Sequence, residues 1–137
     1  MKKYYFALFF AASMMTACSG KGGNPNEPND SHLQPFEVEF NFGTVKDGAG
    51  FEYHDFHFRN DGKDPLVISK VETYCHCTAV KYPQEPIKPG EEGVINLRLD
   101  GGNVSPGFFS RDIDVYYNGK GSPVRLTVSG KKEEMQE

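Results

Sequence analysis

From residue 36 onward, apolar and polar side chains alternate with a period of two. Phe36, Val38, Phe40 and Phe42 alternate with Glu37, Glu39 and Asn41, the pattern of a strand with one face in a core and the other in water. The four apolar residues are therefore expected to face the core. After the turn sequence TVKDGAG the alternation resumes over 51–60, with His54, Phe56 and Phe58 on one face and Tyr53, Asp55 and His57 on the other. NDGKDP at 60–65 is a cluster of turn residues. Further short runs cover 66–73, 78–82, 93–100, 108–118 and 122–130, each bounded by Gly, Pro or Asn. KPGEEG reads as a turn with Pro89 and Gly90 in its central positions. YNGK at 117–120 reads as a hairpin turn, because Asn-Gly accepts the positive φ of a primed turn. No segment sustains apolar residues at helical spacing, and 15 Gly and 9 Pro interrupt most stretches of helix length. These features predict an all-β chain: a single immunoglobulin-like antiparallel sandwich of about seven strands, spanning 36–130 and followed by a polar tail at 131–137.

The N-terminal end reads differently. Lys2 and Lys3 precede an uncharged stretch that ends in Met15-Thr16-Ala17-Cys18. At roughly 14 residues that stretch is shorter than the about 20 a transmembrane helix needs, and it reads as a signal peptide over 1–17. Its end is lipobox-like, with Met15 where Leu is usual, so Cys18 is the expected lipidation site and the lipid the expected contact with a membrane. Residues 18–35 are Gly, Asn, Pro, Ser and other polar types around a single Leu33, which suits a flexible tether. The residues after Cys18, SGKGG, include no acidic cluster. The expected location is a bacterial cell envelope, at the outer membrane facing the periplasm.

Charge and motifs narrow the function. The formal net charge is −4, with Lys and Arg scattered, which leaves no basic face for nucleic acid. The chain contains no G-x-S-x-G, H-E-x-x-H or C-x-x-C pattern, and GKGG lacks the flanking strand and helix of a phosphate loop. No enzyme activity and no cofactor are expected.

One stretch carries candidate chemistry. In TYCHCTAV, Cys75 and Cys77 flank His76. On a regular strand both sulfurs share a face, with Cα atoms about 6.6 to 6.8 Å apart, the outer limit for a disulfide. A bend would bring them within reach, and the small ring so closed is expected to be easily reduced. Two thiolates one residue apart would also chelate Cu(I), with His76 as a third ligand. Zinc fits less well, since a structural site takes about four ligands and His54 and His57 point to opposite strand faces. A structural disulfide or a pair of small buried thiols, a redox pair and a copper site are all readings of Cys75, His76 and Cys77.

FNFGTVKDG at 40–48, FHFRNDGKDPLVISKVETYCHCT at 56–78, IKPGEEGVINLRLD at 87–100 and VRLTVSG at 124–130 together resemble the DUF1573 family of bacterial exported proteins. The resemblance implies an immunoglobulin-like module, similar to those of cilia-associated and major sperm proteins, used for binding or assembly. It carries over to Cys75, Cys77 and Thr78. The family pattern is Cys-Gly-Cys-Thr, and His76 stands in place of the glycine, so either His76 adopts the positive φ a glycine would favour or the turn differs. The function expected from all this is a lipid-anchored envelope module that binds a protein partner, with edge strands available for strand addition. The alternative is copper or thiol handling at Cys75, His76 and Cys77. A glycan-binding face would use Tyr116 or Tyr117, one of which alternation turns outward.

Overall fold

In the computed structural model, residues 29–135 are described; the expected signal peptide, Cys18 and the part of the expected tether up to residue 28 lie outside them. The chain runs β1 (Leu33–Pro35), β2 (Glu39–Val45), β3 (Phe51–Asn60), β4 (Ile68–Thr73), β5 (Thr78–Lys81), β6 (Glu92–Asp100), a 3₁₀ turn at Gly101–Asn103, β7 (Gly107–Tyr117) and β8 (Val124–Lys132). Two four-stranded sheets result, β1-β3-β6-β5 and β2-β8-β7-β4. They pack face to face as a β-sandwich.

The inward positions of the central strands follow the period-two pattern. Phe56 and Phe58 of β3, Ile95, Leu97 and Leu99 of β6, Ile113 and Val115 of β7 and Leu126 and Val128 of β8 are all buried. Each such side chain contributes about 1.5 to 3 kcal/mol of burial. The Pro89-Gly90 turn forms as expected: Gly90 has φ +82° and the Glu91 N–H donates to the Lys88 carbonyl at 3.0 Å.

Several expectations are corrected. The all-β sandwich forms as expected, with eight strands, but it is not wholly antiparallel. β2 pairs in parallel with β8, which no hairpin forbids, because five strands separate them in sequence. The tether ends before residue 35, since β1 pairs with β3 through Leu33↔Asn60 and Leu33 is buried. The tail likewise begins later than 131, because β8 runs to Lys132; the Lys132 side chain is buried and its Nζ donates to the Lys46 carbonyl at 3.0 Å.

Phe36 and Val38 do not face the core; they are 57% and 47% exposed. The chain leaves one sheet after β1 and joins the other at β2, so residues 36–38 form a crossover between layers. There the Phe36 N–H donates to the His57 carbonyl and the Val38 carbonyl accepts from Thr127. The YNGK turn is also different. No residue other than glycine has positive φ among the described residues, and the positive φ in this loop falls on Gly121. Gly119 is required for another reason: a Cβ there would overlap the backbone carbonyl of Ser31.

Candidate functional site

β4 ends in one sheet and β5 begins in the other, so Tyr74 to Cys77 must cross the end of the sandwich within four residues. The crossing is a tight bend in which the Thr78 N–H donates to the Cys75 carbonyl at 3.2 Å, while the Cys77 carbonyl accepts from Asp100 at 2.6 Å. The bend draws the Cys75 and Cys77 Cα atoms to 5.2 Å, and the two sulfurs are joined as a disulfide. His76 sits at the exposed tip without positive φ, so the turn accommodates an ordinary L-residue where the family has glycine.

The two cysteines differ in access. Cys77 is 2% exposed and packs in the core, where its Sγ lies 3.6 Å from the Thr78 hydroxyl. Cys75 is partly buried and its Sγ accepts the Cys77 N–H at 3.1 Å. Cys75 lines two clefts, one of about 610 Å³ with Tyr74, Ser110, Arg111, Asp112 and Arg125, the other of about 380 Å³ with Thr73, Tyr74, His76 and Thr78.

Joined as a disulfide, the two sulfurs offer no thiolate to a metal. Among the described residues no group of three or more His, Cys, Asp or Glu side chains could hold an ion. His54 is engaged elsewhere: its ring stacks on Phe40 with centroids 3.5 Å apart, and its Nε2 pairs with Glu37. His57 is exposed on the opposite face of β3.

Arg111 is a functional candidate that the sequence reading passed over. The inward row of β7 is Phe109, Arg111, Ile113, Val115 and Tyr117, so a charged residue interrupts an apolar face. That interruption was the signal in the sequence. The β4–β7 register, Thr73↔Ile113, continued by two residues sets Cys75 level with Arg111. The Arg111 Nε is buried with no hydrogen-bond partner among the described residues, and one Nη donates to the Ser110 carbonyl at 2.8 Å.

The outer face of this sheet carries a polar network. Asp114, buried beneath it, accepts from Arg125 at 2.8 and 3.0 Å and from the Tyr74 hydroxyl at 2.6 Å. Arg125, then Tyr74, hold its carboxyl down at about 2, while Asp114 pushes the Tyr74 phenol up to about 12. Glu72, held low by Lys70, also accepts from Tyr116 at 3.3 Å. Tyr116 is thus tied into the network and Tyr117 is buried, so neither stands free as a platform.

The outer face of the other sheet is more open. Phe51 and Tyr53 are 50% and 67% exposed, and the Arg98 guanidinium lies 4.5 Å from the centre of the Phe51 ring. A cleft of about 490 Å³ runs from Tyr53 across Asn96 and Arg98 to Ala79, Val80 and Lys81 of the edge strand β5.

The fold recurs in solved structures. A protein of unknown function from Porphyromonas gingivalis W83 matches at a TM-score of 0.64 and 19% identity, over 76% of this chain and 48% of that one. The ASH/PapD-like domain 7 of human CEP192 matches at 0.63 and 10% identity, over 83% of this chain and 94% of that domain. The VesB protease of Vibrio cholerae matches at 0.55 and 13% identity, over 77% of this chain and 32% of that one. The chain therefore spans about half of the P. gingivalis protein and about a third of VesB. At these identities the likeness speaks for the sandwich alone. No curated protein matches the chain. The model of a family described as protein of unknown function (DUF1573) covers residues 33–132, from the first residue of β1 to the last of β8, and the chain belongs to that family.

Proposed function

We propose that this protein is a lipid-anchored, non-catalytic module of a bacterial cell envelope that binds a protein partner, held at Cys18 on the periplasmic side of the outer membrane. The observation that carries the reading is the outer face of β3, β6 and β5. Phe51 and Tyr53 stand exposed beside Arg98 there, a combination of residue types enriched at protein interfaces. The face ends at β5, an edge strand of four residues that pairs on one side only, with β6. An extended segment of a partner adds to such an edge through its backbone. Lys81 and Arg98 border the cleft and form no ion pair with a carboxylate among the described residues, so the partner segment supplies the acid.

The test is chemical crosslinking of intact cells followed by mass spectrometry, comparing the native protein with Tyr53→Ala/Arg98→Ala. A defined heterologous adduct that the double variant loses supports the reading. Equal adducts from both proteins, or monomer alone from both, contradict it. Lipid attachment is read separately by incorporation of a labelled fatty acid, which Cys18→Ala abolishes.

A further inference from the structure

We propose that the Cys75–Cys77 disulfide is a thiol-exchange site at which small anionic thiols attack Cys75, with Arg111 drawing them in. This inference does not depend on the partner-binding reading, because it concerns the opposite end of β5 and a different chemistry.

Access decides which sulfur is attacked. An incoming thiolate needs an open approach to one sulfur on the line of the S–S bond. Cys75 borders both clefts at the sandwich end. Cys77 borders neither and is 2% exposed, so the attacked atom is the Cys75 Sγ and the leaving group is the Cys77 Sγ.

The surroundings of the leaving group fit that role. A thiolate released into the core is unfavourable unless a donor meets it. The Thr78 hydroxyl, 3.6 Å from the Cys77 Sγ, is the donor at hand, since a disulfide sulfur has no proton to give. The step balances as follows. The thiol first loses its proton to water, its sulfur bonds to Cys75 as the S–S bond breaks, and the Cys77 thiolate takes a proton from solvent. The products are a mixed disulfide at Cys75 and a thiol at Cys77. A second molecule of the thiol releases the first as its own disulfide and leaves both cysteines reduced.

Arg111 sets the preference for charge. Its guanidinium shares the larger cleft with Cys75, its Nε makes no hydrogen bond, and no carboxylate pairs with it among the described residues. Arg125, in the same cleft, is committed to Asp112 and Asp114. A cation with no carboxylate partner of its own, in the cleft that Cys75 lines, raises the local concentration of anionic thiolates there.

The direct test uses the mature wild-type protein. It is treated with glutathione, quenched in acid, blocked with N-ethylmaleimide and fragmented across Cys75-His76-Cys77; Cys18 falls on a different peptide. The expected product carries glutathione on Cys75 and maleimide on Cys77. Glutathione on Cys77, an even division between the two, or no adduct at either overturns the proposal. A second measurement compares reduction by 2-mercaptoethanesulfonate and by cysteamine. In Arg111→Met the anionic thiol slows about tenfold while cysteamine does not. Equal slowing of both thiols, or of neither, overturns the role given to Arg111.

Discussion

Asp114 and Arg125 meet across β7 and β8 as a two-point pair, with the guanidinium Nε and one Nη 2.8 and 3.0 Å from the two carboxylate oxygens. The register Asp114↔Arg125 puts them directly opposite each other. Tyr74, arriving from the corner after β4, closes over the carboxylate with a third hydrogen bond. An aspartate that alternation assigns to the outer face is buried in this way by its own partners, and the corner is fastened to the sheet.

The pairing predicts a specific acid dependence. Arg125 and Tyr74 hold the Asp114 carboxyl at about 2, below its ordinary 3.8. A depressed value in the folded state adds stability that is present above the unfolded value and is lost as pH falls through the folded one. Wild-type stability should therefore drop between about pH 3.8 and about pH 2. Asp114→Asn should be less stable than wild type at neutral pH and show a shallower loss over that window. Urea midpoints across the range measure it, and curves that stay parallel contradict it.

Asn60 is fully buried. Its amide donates to the carbonyls of Asp64 and Ile87 at 2.8 and 2.9 Å, and its side-chain oxygen accepts from the N–H groups of His32 and Gly62. Three separate loops are knotted at one side chain. Asn60→Ala leaves several buried groups unpaired, at about 1 to 3 kcal/mol each, so a loss of about 3 kcal/mol or more is expected in urea unfolding. A loss below about 1 kcal/mol would mean that the loops hold without it.

Gly119→Ala tests the docking of the N-terminal segment. The added methyl meets the Ser31 backbone, and overpacking of this kind costs about 1 to 3 kcal/mol. Ser31 also donates to the Asn118 side chain at 2.8 Å, so the variant should expose 29–32 to proteolysis ahead of β1. Unchanged cleavage there contradicts the contact.

Phe108 is 88% exposed, and Phe108→Ser should change stability by no more than about 0.5 kcal/mol. Phe56→Ala, at a core position 1% exposed, should cost about 3 to 5 kcal/mol. Thermal melts of the two side by side check that the inner and outer faces are assigned correctly.

How far the sequence carried can be read from neighbouring residues. Phe56 and Phe58 were legible as core because β3 is central and alternates over ten residues. Phe36 and Val38 show the same alternation, yet period two does not reveal where a chain changes sheets, and they lie on the crossover. Asn118 read as a primed-turn residue, but its amide bonds Ser31, Val67 and the Pro65 carbonyl. Turn chemistry and tertiary bridging use the same residue types, so local sequence could not separate them. The corner at Cys75 and Cys77 was visible from spacing. The role of Arg111 beside it needed the β4–β7 register, a pairing between residues 40 or so positions apart.

The central claim, that the outer face of β3, β6 and β5 docks a protein partner, is tested most directly by a photoreactive amino acid. It is placed at Tyr53 and, as a control on the opposite sheet, at Lys70, in the full-length protein in living cells. The account predicts one discrete heterologous adduct on illumination from position 53 and none from position 70. Adducts of the same identity from both positions, or none from Tyr53, would contradict it.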